Sequence, residues 1–354
     1  MSGRIGLVTT SFPRHPADYA GSFVGDRVRR LLDEGHAVDV VAAGDGAATR
    51  EMEHERLTVT RVAPLPASGE RGYELFYGAG APETLERGRP AVWLAAAHFS
   101  AALAAAVRAR AGRFDVIESH WLVPSTLAAL AGAGARRHRA FAHSGDVALL
   151  ERIPLGRAIA RRIVRAPVDL RFASDDLRAR FAALAGASAP AGVVEPLLPL
   201  PSEWVPRTSL DLGGRRQLGL ARPTVLAVGR LVPIKGHDRL LRACARVQAD
   251  QGRRGAGGLE VVILGDGPER ARLAGLASRL GVRLRLPGFV PRTEVARWLR
   301  ASDVFVQPSI RLPNGRGEGA PVATAEARAV GIPVVIGSDI AGLAARLSPI
   351  VTGV

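Results

Sequence analysis

The stretch Thr224-Val-Leu-Ala-Val-Gly229-Arg230-Leu-Val-Pro-Ile-Lys235-Gly236-His237 reads as a short apolar strand, a turn carrying two cations, and the first residue of a helix. A strand that hands over directly to a helix is half of a βαβ unit, so a parallel sheet covered by helices is expected around it. The junction places Arg230 and Lys235 beyond the strand end, and Gly236 lets the backbone approach closely. Guanidinium and ammonium groups beside the partly positive start of a helix make a seat for a diphosphate. The 48 basic residues of the chain include a single lysine, and it is Lys235.

The same alternation of short β-branched runs and Ala/Leu/Arg helical patterns extends in both directions. In the first half it predicts strands near Ile5–Thr10, Ala37–Ala43, Val59–Val62, Asp115–Ser119, Arg139–His143, Leu170–Ala173 and Gly192–Glu195. In the second half it predicts Thr224–Val228, Glu260–Leu264, Val282–Leu286, Val304–Gln307 and Pro333–Ile336. Prolines at 196, 199, 201, 206 and 223 interrupt the pattern between the halves. The expected organisation is an α/β chain of two Rossmann-like, doubly wound domains facing a central cleft. Residues 1–200 form the first domain, 201–222 a linker, and 223–354 the second, with ligands at the carboxyl ends of the strands.

Composition narrows the classes. With 354 residues, 47% of them hydrophobic, the chain has material for two packed cores, and neither a disordered chain nor a disulfide-stapled miniprotein fits. One cysteine, Cys244, excludes an internal disulfide and a Cys-rich zinc site, and suits a reducing cytoplasmic setting. A formal charge of +15 points to anionic partners: nucleotide phosphates, acidic lipid headgroups or nucleic acid. Aromatics are only 5% and do not interleave with basic residues, so nucleic acid is not expected. The N-terminus enters directly into a strand, and no secretory signal is expected. Ala91 to Val107 reads as a buried or amphipathic helix rather than an anchor. Arg157, Arg161, Arg162 and Arg165, beside Ile159, Ile163 and Val164, leave open either a solvated helix face or a membrane-facing amphipathic segment.

A second constellation follows the strand Val304–Gln307. Pro308-Ser309 leads into a glycine-rich loop, Asn314-Gly-Arg-Gly-Glu318-Gly319-Ala320-Pro321, and a helix from about Val322 to Val330 that carries Glu326. Glu318 and Glu326 are spaced to accept hydroxyl pairs from a sugar and a ribose, and the amides of Gly319 and Ala320 can meet hydroxyls or phosphate at the helix start. Gly265-Asp-Gly267-Pro-Glu-Arg270 departs from a dinucleotide fingerprint, with Arg in place of the third glycine and Pro268 read as opening the helix. Asp175-Asp176 stand before a helical run, adjacent rather than spaced as a metal-binding Asp-x-Asp, so no obligatory divalent ion is expected.

The stretches GRLVPIKG, VVILGDGPERARL, LPGFVPRTEVARWLRASDVFVQPS and GEGAPVATAEARAVGIPVV, in that order over residues 224–342, resemble the donor domain of the retaining GT-B glycosyltransferases of glycosyltransferase family 4. The resemblance implies that Arg230 and Lys235 hold the diphosphate of a nucleoside diphosphate sugar. It likewise gives the ribose to Glu326, the transferred sugar to Glu318 and its loop, and the base to Phe289-Val290. In the first half, Ser11 to Val24 is similar to the family's glycine loop, which carries Gly21 and Ser22 to the donor phosphates. Ser119-His120-Trp121-Leu-Val-Pro124 resembles its strand-end His segment, and Ala142-His143-Ser-Gly-Asp146 its His-Gly-x-Asp turn with Ser before Gly. His143 is then expected at the transferred sugar, and His120 and Asp146 on the acceptor side.

The expected activity is retaining hexosyl transfer, with no cofactor or metal, to a lipid-linked or glycan acceptor of cell-envelope polysaccharide or glycolipid synthesis. Peripheral contact at the inner face of the cell membrane accompanies that expectation. Rival readings are a non-catalytic nucleotide-binding protein and a GT-B sugar-nucleotide epimerase. In the family the last strand is followed by a Gly-Gly-x-Pro-Glu turn, a strand and closing helices. Here Ile340 to Arg346 reads as a turn without Pro-Glu and the chain stops at Val354, so an incomplete second domain with apolar surface on its last sheet is expected.

Overall fold

The computed structural model describes residues 3–15, 18, 20–44, 55–63, 90–133, 137–186, 192–195, 208–253, 258–313, 315, 317–318 and 321–352. The chain divides into two compact units, Met1–Pro199 and Leu200–Val354.

The first unit is a seven-stranded parallel sheet: β1 (Arg4–Thr9), β2 (Ala37–Ala43), β3 (Leu57–Val62), β4 (Val116–His120), β5 (Arg137–Ala142), β6 (Val168–Phe172) and β7 (Val193–Val194). Their order is β3-β2-β1-β4-β5-β6-β7, so the winding reverses between β1 and β4, where ligands of open α/β sheets bind. Strands β1 and β2 are largely apolar because both faces are covered, whereas β4 and β5 bury the polar side chains of Glu118, Ser119, His120 and His138. Ile5, Leu7, Val38 and Val40 face helix α1 (Ser22–Asp33) through its Val24, Val28 and Leu31. Val8, Val41 and Ile117 face helix α2 (Pro90–Arg108) through Phe99, Leu103 and Val107. Helix α2 is long and apolar enough to cross a membrane, yet Val92, Ala95, Phe99, Leu103 and Val107, three or four apart, turn one stripe of it into the core. The other α-helices among the described residues of this unit are α3 (Leu127–Ala133), α4 (Ser144–Arg152), α5 (Gly156–Arg165) and α6 (Asp175–Ala185). Asp175 and Asp176 do not precede α6; they are its first turn, capped by Ser174, where negative charge suits the helix dipole.

The second unit carries β8 (Thr224–Val228), β9 (Glu260–Leu264), β10 (Arg283–Gly288), β11 (Val304–Gln307) and β12 (Val334–Ile336), parallel and in the order β10-β9-β8-β11-β12. Its switch point lies between β8 and β11. Val225, Ala227, Val261 and Ile263 pack on helix α8 (His237–Arg253), whereas Leu226, Val262 and Phe305 pack on α10 (Arg292–Ala301) and α11 (Val322–Val330). Every strand expected from the sequence is present, with ends shifted by a few residues.

Three expectations change here. Part of the stretch read as a linker is helix α7 (Leu212–Gln217): the Asp211 N–H donates to the Arg300 carbonyl at 3.2 Å and Arg215 pairs with Asp303 at 2.7 Å, which fastens it to the second sheet. Pro268 does not open its helix; α9 runs from Arg270 to Leu280. Ile340 to Arg346 is not a turn but the first half of helix α12 (Ile340–Thr352), whose Leu343 and Leu347 are fully buried against the same face as α8. Apolar residues at 340, 343, 344 and 347 give that segment a helical stripe. The expected bare sheet is therefore covered on that side.

Candidate functional site

In the second unit the loops at the strand ends hold each other. The N–H of Gly229 donates to the Leu264 carbonyl at 2.9 Å and that of Leu231 to the Asp266 carbonyl at 2.8 Å, while Glu269 N–H returns to the Leu231 carbonyl at 3.0 Å. The Gly265-Asp-Gly267 turn is thus a brace for the loop that carries Arg230 and Lys235. On the other side Ile310 N–H donates to the Ile234 carbonyl at 2.9 Å. Gly236 closes the loop at φ 64°, and a Cβ there would stand 2.1 Å from the Pro308 carbonyl oxygen, so only glycine fits.

This bracing brings Lys235 to Glu318. The ammonium Nζ lies 2.5 Å from Glu318 Oε1, with both side chains mostly buried. Glu318 Oε2 accepts from Gln307 Nε2 at 3.0 Å and from the Ser309 hydroxyl. Gln307 is 2% exposed, and its Oε1 accepts from the Thr324 hydroxyl at 3.4 Å. A cation and a carboxylate are thereby fixed at the switch point by residues of β11 and the start of α11. Glu326, also on α11, is 5% exposed and takes a hydrogen bond from Arg292 Nε at 2.7 Å. Arg230 is half-buried on the braced loop, Phe289 is exposed beyond β10 and Val290 is half-buried. Gly319 and Ala320 lie outside the described residues.

The sequence reading passed over Gln307, Ser309, Thr324, Arg292 and His237 as participants. A glutamine closing an otherwise apolar buried strand, Val-Phe-Val-Gln307, was the available signal for the first. His237 starts α8 fully buried beside Lys235, and burial with that charge pushes its pKa down to about 3, so it is neutral.

The first unit assembles a second group around its own switch point. Gly21, at φ 69°, starts α1, and Ser22 is its first helical residue. A Cβ on Gly21 would meet the Ser11 carbonyl oxygen at 2.3 Å. His120 closes β4 and stacks on His143 at 5.4 Å between centroids, with Nδ1 of one and Nε2 of the other 3.2 Å apart. Phe23, Phe141 and Trp121 wall the pair, and Trp121 stands at φ 69°, a strained value for a bulky residue. Asp146 receives the amides of Leu122 at 2.6 Å, Val147 at 2.9 Å and His143 at 3.2 Å. The structure therefore joins His120, His143 and Asp146.

Burial lowers the pKa of His120 to about 3, of His138 to about 4 and of His143 well below its usual value, while Asp146 is pushed up to about 7. Unfolding returns the imidazoles to about 6.5, so below that pH the unfolded chain binds more protons and stability falls. Asp146 acts oppositely between about 4 and 7, but three imidazoles outweigh one carboxyl. Denaturant midpoints of this unit are expected to rise steadily from about pH 4.5 to 6.5; a flat or falling profile would contradict the buried neutral histidines.

Two doubly wound parallel sheets in one chain, the second with a lysine and carboxylates at its switch point, define the GT-B class of glycosyltransferases. Solved structures share this fold. A sucrose-phosphate synthase from Thermosynechococcus elongatus superposes with a TM-score of 0.68 at 18% identity, over 99% of this chain and 90% of that one. A trehalose-6-phosphate protein from E. coli bound with UDP-2-fluoro glucose gives 0.70 at 15% identity, over 98% and 86%. The Glycosyl transferases group 1 model matches residues 215–354. A GDP-mannose-dependent alpha-(1-6)-phosphatidylinositol monomannoside mannosyltransferase of Mycobacterium tuberculosis is 30% identical over 357 residues, covering 95% of this chain and 80% of the relative. The amylovoran biosynthesis glycosyltransferase AmsK of Erwinia amylovora is 40% identical over 113 residues, 31% of this chain and 26% of its own. The chain belongs to the glycosyl transferases group 1 family, and it is a glycosyltransferase.

Proposed function

We propose that the chain transfers a hexose from a nucleoside diphosphate sugar to a lipid-linked or glycan acceptor with retention at the anomeric carbon, as in glycosyltransferase family 4. The Lys235–Glu318 pair held by Gln307 and Ser309 is the observation that carries this reading. Arg230 and Lys235 hold the diphosphate. Glu326, fixed by Arg292, accepts the ribose hydroxyls, and Glu318 accepts those of the transferred sugar. Phe289 and Val290 border the base. In the first unit, Gly21 and Ser22 serve the donor phosphates, His143 the sugar, and His120 and Asp146 the acceptor.

As the bond from the anomeric carbon to the β-phosphate oxygen breaks, its electron pair moves onto the diphosphate, and fixed cations lower the energy of that charge. The acceptor hydroxyl bonds to the anomeric carbon from the same side, and its proton passes to the departing phosphate oxygen. The cations of the loop do this without an obligatory metal.

The relative covering most of the chain is named GDP-mannose-dependent, so GDP-mannose is the first donor to try, followed by UDP-sugars. Proton NMR of the product, formed with excess chelator, is expected to show the anomeric configuration of the donor. Inversion contradicts the reading, and isomerisation of the donor without acceptor supports an epimerase.

A further inference from the structure

Helix α5 presents a charge pattern that the transferase chemistry does not use. Gly156, Ala160 and Ile163 are its buried residues, and Ile159 is half-buried beside them. A Cβ on Gly156 would fall 1.7 Å from the Leu150 carbonyl oxygen, so the helix is pressed onto the end of α4. Arg157, Arg161, Arg162 and Arg165 are all exposed. At 100° per residue these four fall in an arc of about 140° opposite the buried line. The apolar residues that the sequence left available to a membrane thus point into the protein, and the basic face points out.

The surrounding arginines are neutralised. Arg171 pairs with Asp169 and Glu195, Arg178 with Asp175, and Arg180 with Glu151. Helix α5 has no acidic residue, and among the described residues none of its arginines meets a carboxylate. Arg161 reaches only the Ala185 carbonyl, at 3.4 Å. Leu155, immediately before the helix, is 68% exposed, one of the most exposed large apolar side chains described.

We propose that this face docks on anionic phospholipid headgroups. Guanidinium groups fork onto phosphate oxygens, and a row of unpaired arginines beside one protruding leucine matches an anionic bilayer surface. Attachment is electrostatic, because the apolar side of α5 is occupied by the protein's own core. The inference is independent of which sugar nucleotide the second unit binds.

The test is co-sedimentation of the full chain with phosphatidylcholine vesicles, alone or with about one-third phosphatidylglycerol. Binding is expected only to the anionic vesicles, and it is expected to disappear when salt rises from about 0.1 M to about 0.5 M. Combined Arg157→Glu, Arg161→Glu and Arg165→Glu substitution should weaken it at least about tenfold while the circular dichroism melt is unchanged. Because these side chains are exposed, the variant is expected to fold; should it not, the corresponding Gln variant is tested in its place. Equal binding to neutral vesicles, no binding to anionic ones, or full binding by the folded variant overturns the proposal. So does tighter retention on duplex DNA at equal phosphate, which would assign the face to nucleic acid.

Discussion

Lys235→Ala is expected to lower kcat/KM by about 10²–10³, the usual cost of removing one preorganised group from a developing oxyanion. Two effects act in the same direction. In the proposed reaction the leaving diphosphate loses its ammonium partner, and Glu318, which rests 2.5 Å from that ammonium, becomes an uncompensated carboxylate beside the proposed diphosphate seat. Arginine at 235 restores charge but not the compact ammonium geometry, and recovery should be partial. Glu318→Ala separates the effects: it frees Lys235, so nucleoside diphosphate affinity should hold or rise while kcat falls. Steady-state kinetics with calorimetric binding measures both. A Lys235→Ala enzyme within about threefold of the parent would remove the lysine from the mechanism.

Arg27→Ala is expected to cost about 3–5 kcal/mol of stability, the range for breaking a buried ion pair. Glu118 lies in the middle of the first sheet with no exposed surface. Arg27 of α1 grips it with both arms, Nε to Oε2 at 2.9 Å and a terminal nitrogen to Oε1 at 2.5 Å. Arg139 adds a looser contact at 3.3 Å from a half-exposed position. Without Arg27 the carboxylate stays buried with Arg139 as its one charged partner among the described residues, and α1 loses this ion pair to β4. The role proposed for Gly21 and Ser22, at the start of α1, predicts that donor affinity falls along with stability. Urea unfolding of the variant decides: a loss below about 1 kcal/mol would mean that Arg139 suffices.

Much of this was legible because parallel strands covered on both faces are continuous apolar runs, which is why Val-Leu-Ala-Val and Val-Val-Ile-Leu stood out. The Arg230–Lys235 loop was legible through its lone lysine. Contacts that depend on loop closure were not. Nothing in the spacing tells that Gln307 and Ser309 both reach Glu318, or that Arg292 meets Glu326, since tertiary packing alone sets which side chains face each other. The sequence places Trp121 in a strand-end segment but carries no sign of its positive φ or of the ring contacts it makes with Phe23 and His143. Gly342 and the lack of a Pro-Glu pair favour a turn locally at 340–346, but the stripe of Leu343 and Leu347 buried in the core makes the segment a helix. For helix α5 the sequence allows either solvent or membrane on its apolar side, and only the burial of Gly156, Ala160 and Ile163 sets which face is outward.

The central claim is that Lys235 holds the donor diphosphate, and the chain's composition offers a direct probe of it. Reductive methylation with carbon-13 formaldehyde labels its one lysine and the terminal amine while keeping their charge. Titrating GDP or UDP without metal should shift the lysine signal saturably and leave the terminal one in place. If no nucleoside diphosphate moves the lysine signal, Lys235 is not the diphosphate ligand and the account of the site is wrong.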